Sequence, residues 1–234
     1  MFDADWSRDI LAAGAALVAA ADLTPVPAEA RRGLPRAVSI AMALEPEIVA
    51  AIASGPTPAY AVEYGRLNRR LDELGRQCAQ FLEERGHRAA PLPATESVPD
   101  GHDLRTPLPH KTVARLAGLG WIGRSALLVT TTHGSALRYT TVLTDAPLPT
   151  GRPTERSHCD PCTACVSACP GRAITGVEWE PGMERERLYD AHACRRQARR
   201  FASSGGIDHP LCGVCIAACP YTKRYLASSA PVAD

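Results

Sequence analysis

The chain has 234 residues, 45% of them hydrophobic, and a formal charge of +1 with 22% charged residues. So near-neutral a balance supplies no bulk field for nucleic acid or for an anionic membrane surface. The length accommodates one large domain or two small ones.

Residues Ile10 to Leu23 are apolar and alanine-rich but too short to span a bilayer. They follow Asp3, Asp5 and Asp9 instead of a basic leader, which argues against a signal peptide. The expectation is an amphipathic surface helix packed on the core, in a soluble cytoplasmic protein with no membrane partner. Ala37 to Leu44 is a buried-strand candidate. Residues 57 to 86 predict one long helix. Tyr60, Tyr64, Leu67, Leu71, Leu74, Cys78 and Phe81 recur three or four apart, and Arg66, Arg69, Arg70, Asp72, Glu73 and Arg76 take the other side. Cys78 falls on the apolar stripe and reads as a small buried hydrophobe, and Gly86 as the C-terminal cap. Pro91 to Pro109 reads as loop. Ala126 to Thr131 and Ala136 to Thr144 then read as strands, joined by a turn at His133-Gly134-Ser135.

Between helix and strands lies Gly118-Leu119-Gly120-Trp121-Ile122-Gly123, a match to the dinucleotide-binding pattern G-x-G-x-x-G. That motif works only with a strand before the glycines and a helix after, so that a pyrophosphate meets the helix N-terminus. Here Lys111 to Leu116 reads as helix and Ala126 to Thr131 as strand, the reverse order. The glycines instead permit close backbone approach to another body, and Trp121 offers a flat apolar face. A tight turn beside the sheet is the plainer alternative.

Eight of the nine cysteines lie between residues 159 and 219. Cys159, Cys162, Cys165 and Cys169 with Pro170 read C-x2-C-x2-C-x3-C-P. Cys212, Cys215 and Cys219 with Pro220 repeat the C-x2-C-x3-C-P ending, with Cys194 upstream. Such runs hold iron–sulfur clusters, and in two-cluster proteins the last cysteine of each run serves the other run's cluster. The expected sets are Cys159, Cys162, Cys165 and Cys219 for cluster one, and Cys169, Cys194, Cys212 and Cys215 for cluster two. Zinc sites favour paired C-x2-C units without the trailing proline. A disulfide scaffold suits a short secreted chain, whereas thiolate clusters suit a reducing cytoplasm. Two clusters imply one-electron relay, in an enzyme or in a carrier that feeds one.

The stretch Ala117 to Pro149 (AGLGWIGRSALLVTTTHGSALRYTTVLTDAPLP) and the cysteine block after it resemble epoxyqueuosine reductase. The order of motifs is shared: glycine-tryptophan loop, GS turn, LTD-x-PLP, the first cysteine run, a lone cysteine and the final run, ending GVCIAACPYTKR. The resemblance implies an α+β chain: a nitroreductase-like α/β domain over residues 1–150, followed by a ferredoxin-like module with two 4Fe–4S clusters over residues 151–234. It implies cobalamin as second cofactor, bound near Lys111, Gly118, Gly120, Trp121, Gly123 and Arg124. It further implies reduction of an electrophilic small-molecule or modified-nucleoside substrate, with electrons from a ferredoxin or flavodoxin. The family's acidic proton donor would fall at Leu104, beside Asp103, and Asp103, His110 and Tyr139 are the catalytic candidates. The family's C-terminal helical-repeat region has no counterpart here, which with the neutral charge argues against tRNA as partner. Arg195, Arg196, Arg199 and Arg200 follow Cys194 on an expected helix and read either as a solvated face or as a docking surface for an acidic donor or RNA.

Overall fold

The computed structural model describes residues 6–95 and 104–229, and its chain packs into two compact units. The first gathers residues up to Ala43, Arg66–Gly120 and Arg138–Thr154; the second gathers Leu44–Gly65, Trp121–Leu137 and the chain from Glu155. In chain order the elements are α1 (Arg8–Ala12), β1 (Leu17–Asp22), β2 (Arg36–Ala43), α2 (Pro46–Ala50), α3 (Pro58–Glu83), β3 (Ala89–Leu92), α4 (His110–Leu116), β4 (Trp121–Ile122), β5 (Leu128–Val129), β6 (Leu137–Thr144), α5 (Ala164–Ala168), α6 (Arg185–Leu188), α7 (Ala191–Gly205), α8 (Val214–Ala218) and α9 (Pro220–Ser228). The mixture of helix and sheet agrees with the class expected. Among the described residues no helix is long and apolar enough to cross a membrane.

The first unit holds a four-stranded sheet in the order β1-β2-β6-β3. Strands β1 and β2 pair antiparallel from Leu17↔Ala41 to Asp22↔Arg36, and β3 pairs antiparallel with β6 from Ala89↔Thr144 to Leu92↔Thr141. Strand β2 is almost continuously apolar and buried, as a central strand covered on both faces must be. Pro91 lacks a ladder donor, and it sits on β3 at the sheet edge, where that loss is tolerated.

Helix α3 covers one face. Its Leu67, Leu71, Leu74 and Leu82 are fully buried, and a Cβ added at Gly75 would lie 3.6 Å from the Thr140 methyl and 3.7 Å from Pro91. Gly86 has φ +81 and ends the helix, as expected. The other face meets α4. Leu92 and Leu143 cluster there with Ala21, Leu23, Leu34, Val113 and Leu116, and Thr141 Oγ1 lies 2.8 Å from His110 Nδ1. By the two-residue period of a strand, Tyr139 shares that face with Thr141 and Leu143.

Two expectations differ: Pro91 and Leu92, expected in a loop, belong to β3, and the N-terminal helix is not formed as a single element. The apolar stretch from Ile10 is not a single helix: α1 stops at Ala12, Gly14 takes φ +104, and β1 begins at Leu17. A left-handed glycine cannot propagate a helix. The alanine-rich run that follows has no strong period of its own, so pairing with β2 decides it.

In the second unit β4 and β5 form a hairpin, Trp121↔Val129 and Ile122↔Leu128, closed by the Gly123 amide donating to Leu127 O at 2.9 Å. The two cysteine runs share one local plan. Each makes a loop, a one-turn helix (α5 or α8) and an extended cysteine before proline, with Cys169 at ψ 108 and Cys219 at ψ 127. The residue before a proline is steered out of helical space, which explains the same ending twice. Helix α7 starts at Asp190, whose side chain accepts from the Ala193 amide at 2.9 Å, and stops at Gly206 with φ +62.

Candidate metal centre

All nine cysteines are free thiols. Cys159, Cys162 and Cys165 of the first run and Cys219 of the second wall one cavity of about 360 Å³. Gly123, Arg124, Ser125, Val129, His158, Tyr221 and Arg224 complete most of the lining. Among the described residues no three His, Cys, Asp or Glu side chains converge tightly enough to hold a single metal ion. A cavity walled by four thiols from two cysteine runs offers the donor set that an iron–sulfur cluster takes.

Electrostatics groups the thiols the same way. Burial, followed by the charges of Cys159, Cys219 and Cys162, pushes Cys165 up to about 11. Cys194 is pushed up to about 11, by enclosing protein atoms first and then by Cys212 and Cys169, although the residue as a whole is exposed. Cys215 is raised by burial, then by Cys212, Cys194, Cys165 and Cys169. Cys169, Cys194, Cys212 and Cys215 thus feel one another's charge, and Cys165 feels both groups. Like charges packed this closely resist ionising together; a bound cationic cluster removes that resistance. The Ala173 amide points at Cys169 Sγ, 3.3 Å away.

The glycine-tryptophan loop has structural work at three positions. Gly118, at φ +76, leaves room where a Cβ would lie 2.6 Å from Arg152 O, and a Cβ at neighbouring Gly151 would strike Ala117 O. Two backbones pass in contact there, and each yields its side chain. At Gly123 a Cβ would meet Val129 at 2.9 Å and Cys159 Sγ at 3.4 Å. Gly120 is buried. Trp121 is 3% exposed and meets His158 and Tyr221 edge-on, with centroids 5.0 and 4.8 Å away. Arg124 donates to the carbonyls of Gly176 and Asp160 and pairs with Glu178 at 3.3 Å. Asp160 lies between Cys159 and Cys162 with φ +46, so Arg124 pins the strained part of the first cysteine loop.

Of the catalytic candidates, Asp103 lies outside the described residues. His110 has both ring nitrogens engaged: Nε2 is 3.0 Å from Pro93 O and Nδ1 is 2.8 Å from Thr141 Oγ1. A carbonyl only accepts, so in the neutral ring Nε2 carries the proton and the Thr141 hydroxyl donates to Nδ1. Tyr139 differs. Its hydroxyl is buried without a partner among the described residues, and burial raises its pKa far above the ordinary value. Ser39 Oγ on β2 is buried and unpartnered too. Lys111 is half-buried at the start of α4.

Sequence reasoning did not single out His158, Tyr221 or Arg224. Each flanks a cavity cysteine within five residues, and Arg224 stacks 4.1 Å over the Tyr221 ring. Gly134 and Thr222 were also missed as supports. A Cβ at Gly134 would strike the Thr222 backbone, and the Ser135 amide donates to Thr222 Oγ1 at 3.1 Å, three residues beyond Cys219. The local signal is the Gly-Ser pair itself, which by sequence predicts no more than a turn.

Comparison with known proteins agrees with this geometry. Residues 158–222 match the 4Fe-4S double cluster binding domain. An epoxyqueuosine reductase of Synechococcus sp. (strain RCC307) is 32% identical over 170 residues, which cover 70% of this chain and 47% of that protein. The chain thus spans about half the length of that relative, and less of several others. A solved reductive dehalogenase, described as B12-dependent, superposes with TM-score 0.68 at 21% identity, over 95% of this chain and 34% of that one. A solved epoxyqueuosine reductase superposes with TM-score 0.61 at 16% identity, over 94% and 65%. At such identities the two structures speak for the fold. Residues 158–222 thus carry a 4Fe–4S double-cluster binding domain, and the chain is similar to epoxyqueuosine reductases over about half of their length or less.

Proposed function

We propose that the protein is an iron–sulfur oxidoreductase in which two 4Fe–4S clusters pass single electrons to a corrinoid that reduces an electrophilic substrate. The observation that carries the relay is the single cavity walled by thiols of both cysteine runs. In this reading Cys159, Cys162, Cys165 and Cys219 hold cluster one, and Cys169, Cys194, Cys212 and Cys215 hold cluster two. Residues 1–150 are taken as a nitroreductase-like cofactor and substrate platform, and residues 151–234 as a ferredoxin-like module. Nine free thiols suit a reducing cytoplasm.

When bound, a corrinoid supplies a metal centre that accepts electrons singly and acts on an epoxide or carbon–halogen bond. Similarity to epoxyqueuosine reductase, and to a dehalogenase described as B12-dependent, supports it. On this chain's side the support is Tyr139. A buried, unpartnered hydroxyl normally costs stability, so one retained on β6 fits a group that meets its partner in the loaded protein. The phenol holds its proton at neutral pH without this upward push, so it can donate only to a stronger base formed on reduction. His110, with both nitrogens satisfied, serves to hold α4 to β6. The substrate class is a small electrophile or a modified nucleoside, and the donor a reduced flavodoxin or ferredoxin.

A second reading is a cluster-only carrier that feeds a separate enzyme. It is favoured by the glycine-tryptophan loop, where Arg152, Val129 and Cys159 take up the room beside Gly118 and Gly123. Titration of hydroxocobalamin into anaerobically prepared, iron-replete protein separates the two. Saturable binding with a changed corrinoid spectrum is expected, and Tyr139→Phe should keep iron and cobalamin while losing turnover. No binding by iron-replete wild type selects the carrier.

A further inference from the structure

On α7 the residues His192, Arg196, Arg199, Arg200 and Ser203 recur three and four apart and so share one face. Arg196, Arg199 and Arg200 are exposed, and with Ser203 and Ser204 they line one shallow surface hollow. The opposite side of the helix is fixed. Ala191 and Ala198 are buried, a Cβ at Gly55 would touch the Phe201 ring at 3.0 Å, and a Cβ at Gly171 would touch Gln197 at the same distance. Gly171 belongs to the Cys169-Pro170 corner, so the helix is held against a cluster loop while Arg196, Arg199 and Arg200 are exposed. The nearest described acid along the helix, Asp190, lies 3.8 Å from Arg196 with both side chains more than half exposed, a pair that neutralises little.

We propose that this arginine face is the docking surface for an acidic one-electron carrier protein that reduces the second cluster. The inference rests on the two-cluster reading above. Its particular support is position: Cys194, a ligand in that reading, is an exposed residue on the same helix. Arg196 to Arg200 follow it by two to six residues, or roughly 3 to 9 Å along the axis. At about 100° per residue Cys194 lies on the opposite side of α7 from these arginines, so a protein seated on the guanidinium groups stands about one helix width, roughly 10–12 Å, from a cluster thiolate. Arginine pairs carboxylates through two parallel hydrogen bonds and is enriched at protein interfaces. RNA fits less well. Single strands are gripped by aromatic rings set among the cations, and the phenyl ring of α7, Phe201, is turned to Gly55. The electron balance is simple: the reduced carrier loses one electron, and the cluster gains it with no bond made or broken.

The test mixes reduced flavodoxin anaerobically with iron-replete wild type and with the variant Arg196→Glu/Arg199→Glu/Arg200→Glu, following cluster bleaching. Electrostatic steering is worth about 10- to 1,000-fold in association rate, so the variant's second-order rate constant should fall at least about tenfold. Its salt dependence should flatten, while reduction by the small methyl viologen radical should stay unchanged. A flavodoxin rate that does not change, or a parallel loss with both reductants, overturns the proposal. Should the triple variant load less iron, Arg199→Gln/Arg200→Gln should still slow flavodoxin selectively, and no slowing counts against the surface. Loss of tRNA retention with an intact flavodoxin rate would reassign the face to RNA. Iron counted before mixing keeps the cluster reading separate: wild type that binds no iron sinks that reading, not this surface alone.

Discussion

In the sheet unit Leu67, Leu71, Leu74 and Leu82 of α3 lie fully buried with Ile40, Leu143 and Val113. In α5, the helix that carries Cys165 and ends before Cys169, no residue is buried at all, and α8 buries only Val214 and Ala217. The first region is held by apolar surface removed from water, at about 25 cal/mol per Å². The cysteine runs bury little such surface, and thiols stand where a core would be. Their order has to come from what the thiols bind. Small metal-holding segments behave this way because the free energy of metal binding is their folding free energy.

The largest expected effect breaks the two regions apart. Anaerobic removal of iron by a chelator should abolish amide protection across residues 158–222, while β1, β2, β6 and β3 keep theirs in hydrogen exchange. Equal loss in both regions would mean that the sheet unit has no independent stability.

The converse perturbation acts on the core. Leu71 is fully buried on α3, and Leu71→Ala should cost about 2–5 kcal/mol in urea unfolding. Iron per folded chain should not change, since no cysteine of either set lies on that helix's apolar stripe.

Legibility in the sequence follows the same division. The apolar stripe of α3 and the β-branched run of β6 declared themselves, because side-chain period alone fixes which face is buried. The stretch Leu17–Asp22 did not: alanine serves helix and strand alike, and only pairing with β2 chooses. Strand β3 was hidden by Pro91, which is admitted only because β3 is an edge. At the candidate metal centre the cysteine spacing carried the grouping of thiols, since loop length limits reach. The supports were not readable, because they depend on approaches across the chain: Gly134 against Thr222, Arg124 to the carbonyls of Asp160 and Gly176, and Trp121 between His158 and Tyr221. The glycines of the loop announced close approach but not what approaches. At Gly118 and Gly123 the neighbours include Arg152, Val129 and Cys159.

The smallest effect concerns the one cysteine outside both sets. Burial pushes Cys78 up to about 12 from its ordinary 9.0. Cys78→Ala should keep full iron content and cost on the order of 1 kcal/mol for a small buried side chain. The pH dependence has a definite sign. The unfolded chain releases this thiol proton above about pH 9, and the folded chain holds it to about 12. Wild-type stability should therefore fall as pH rises through that window. Cys78→Ala should lose this part of the alkaline decline, so the two unfolding curves draw together as the pH rises above about 9. A gap of constant size would show that the thiol titrates alike in both states.

Cross-ligation between the two cysteine runs is the central claim, and Cys219→Ala tests it most directly. Cys219 stands in the second run but walls the cavity of Cys159, Cys162 and Cys165. Iron and sulfide counts with electron paramagnetic resonance of the reduced protein should show about eight of each in wild type, as two interacting 4Fe–4S centres. In Cys219→Ala they should show about four of each, as a single centre. That centre should be lost on further substitution of Cys212 and kept on further substitution of Cys162. If the centre remaining in Cys219→Ala instead depended on Cys162 and not on Cys212, each run would hold its own cluster and the account would be wrong.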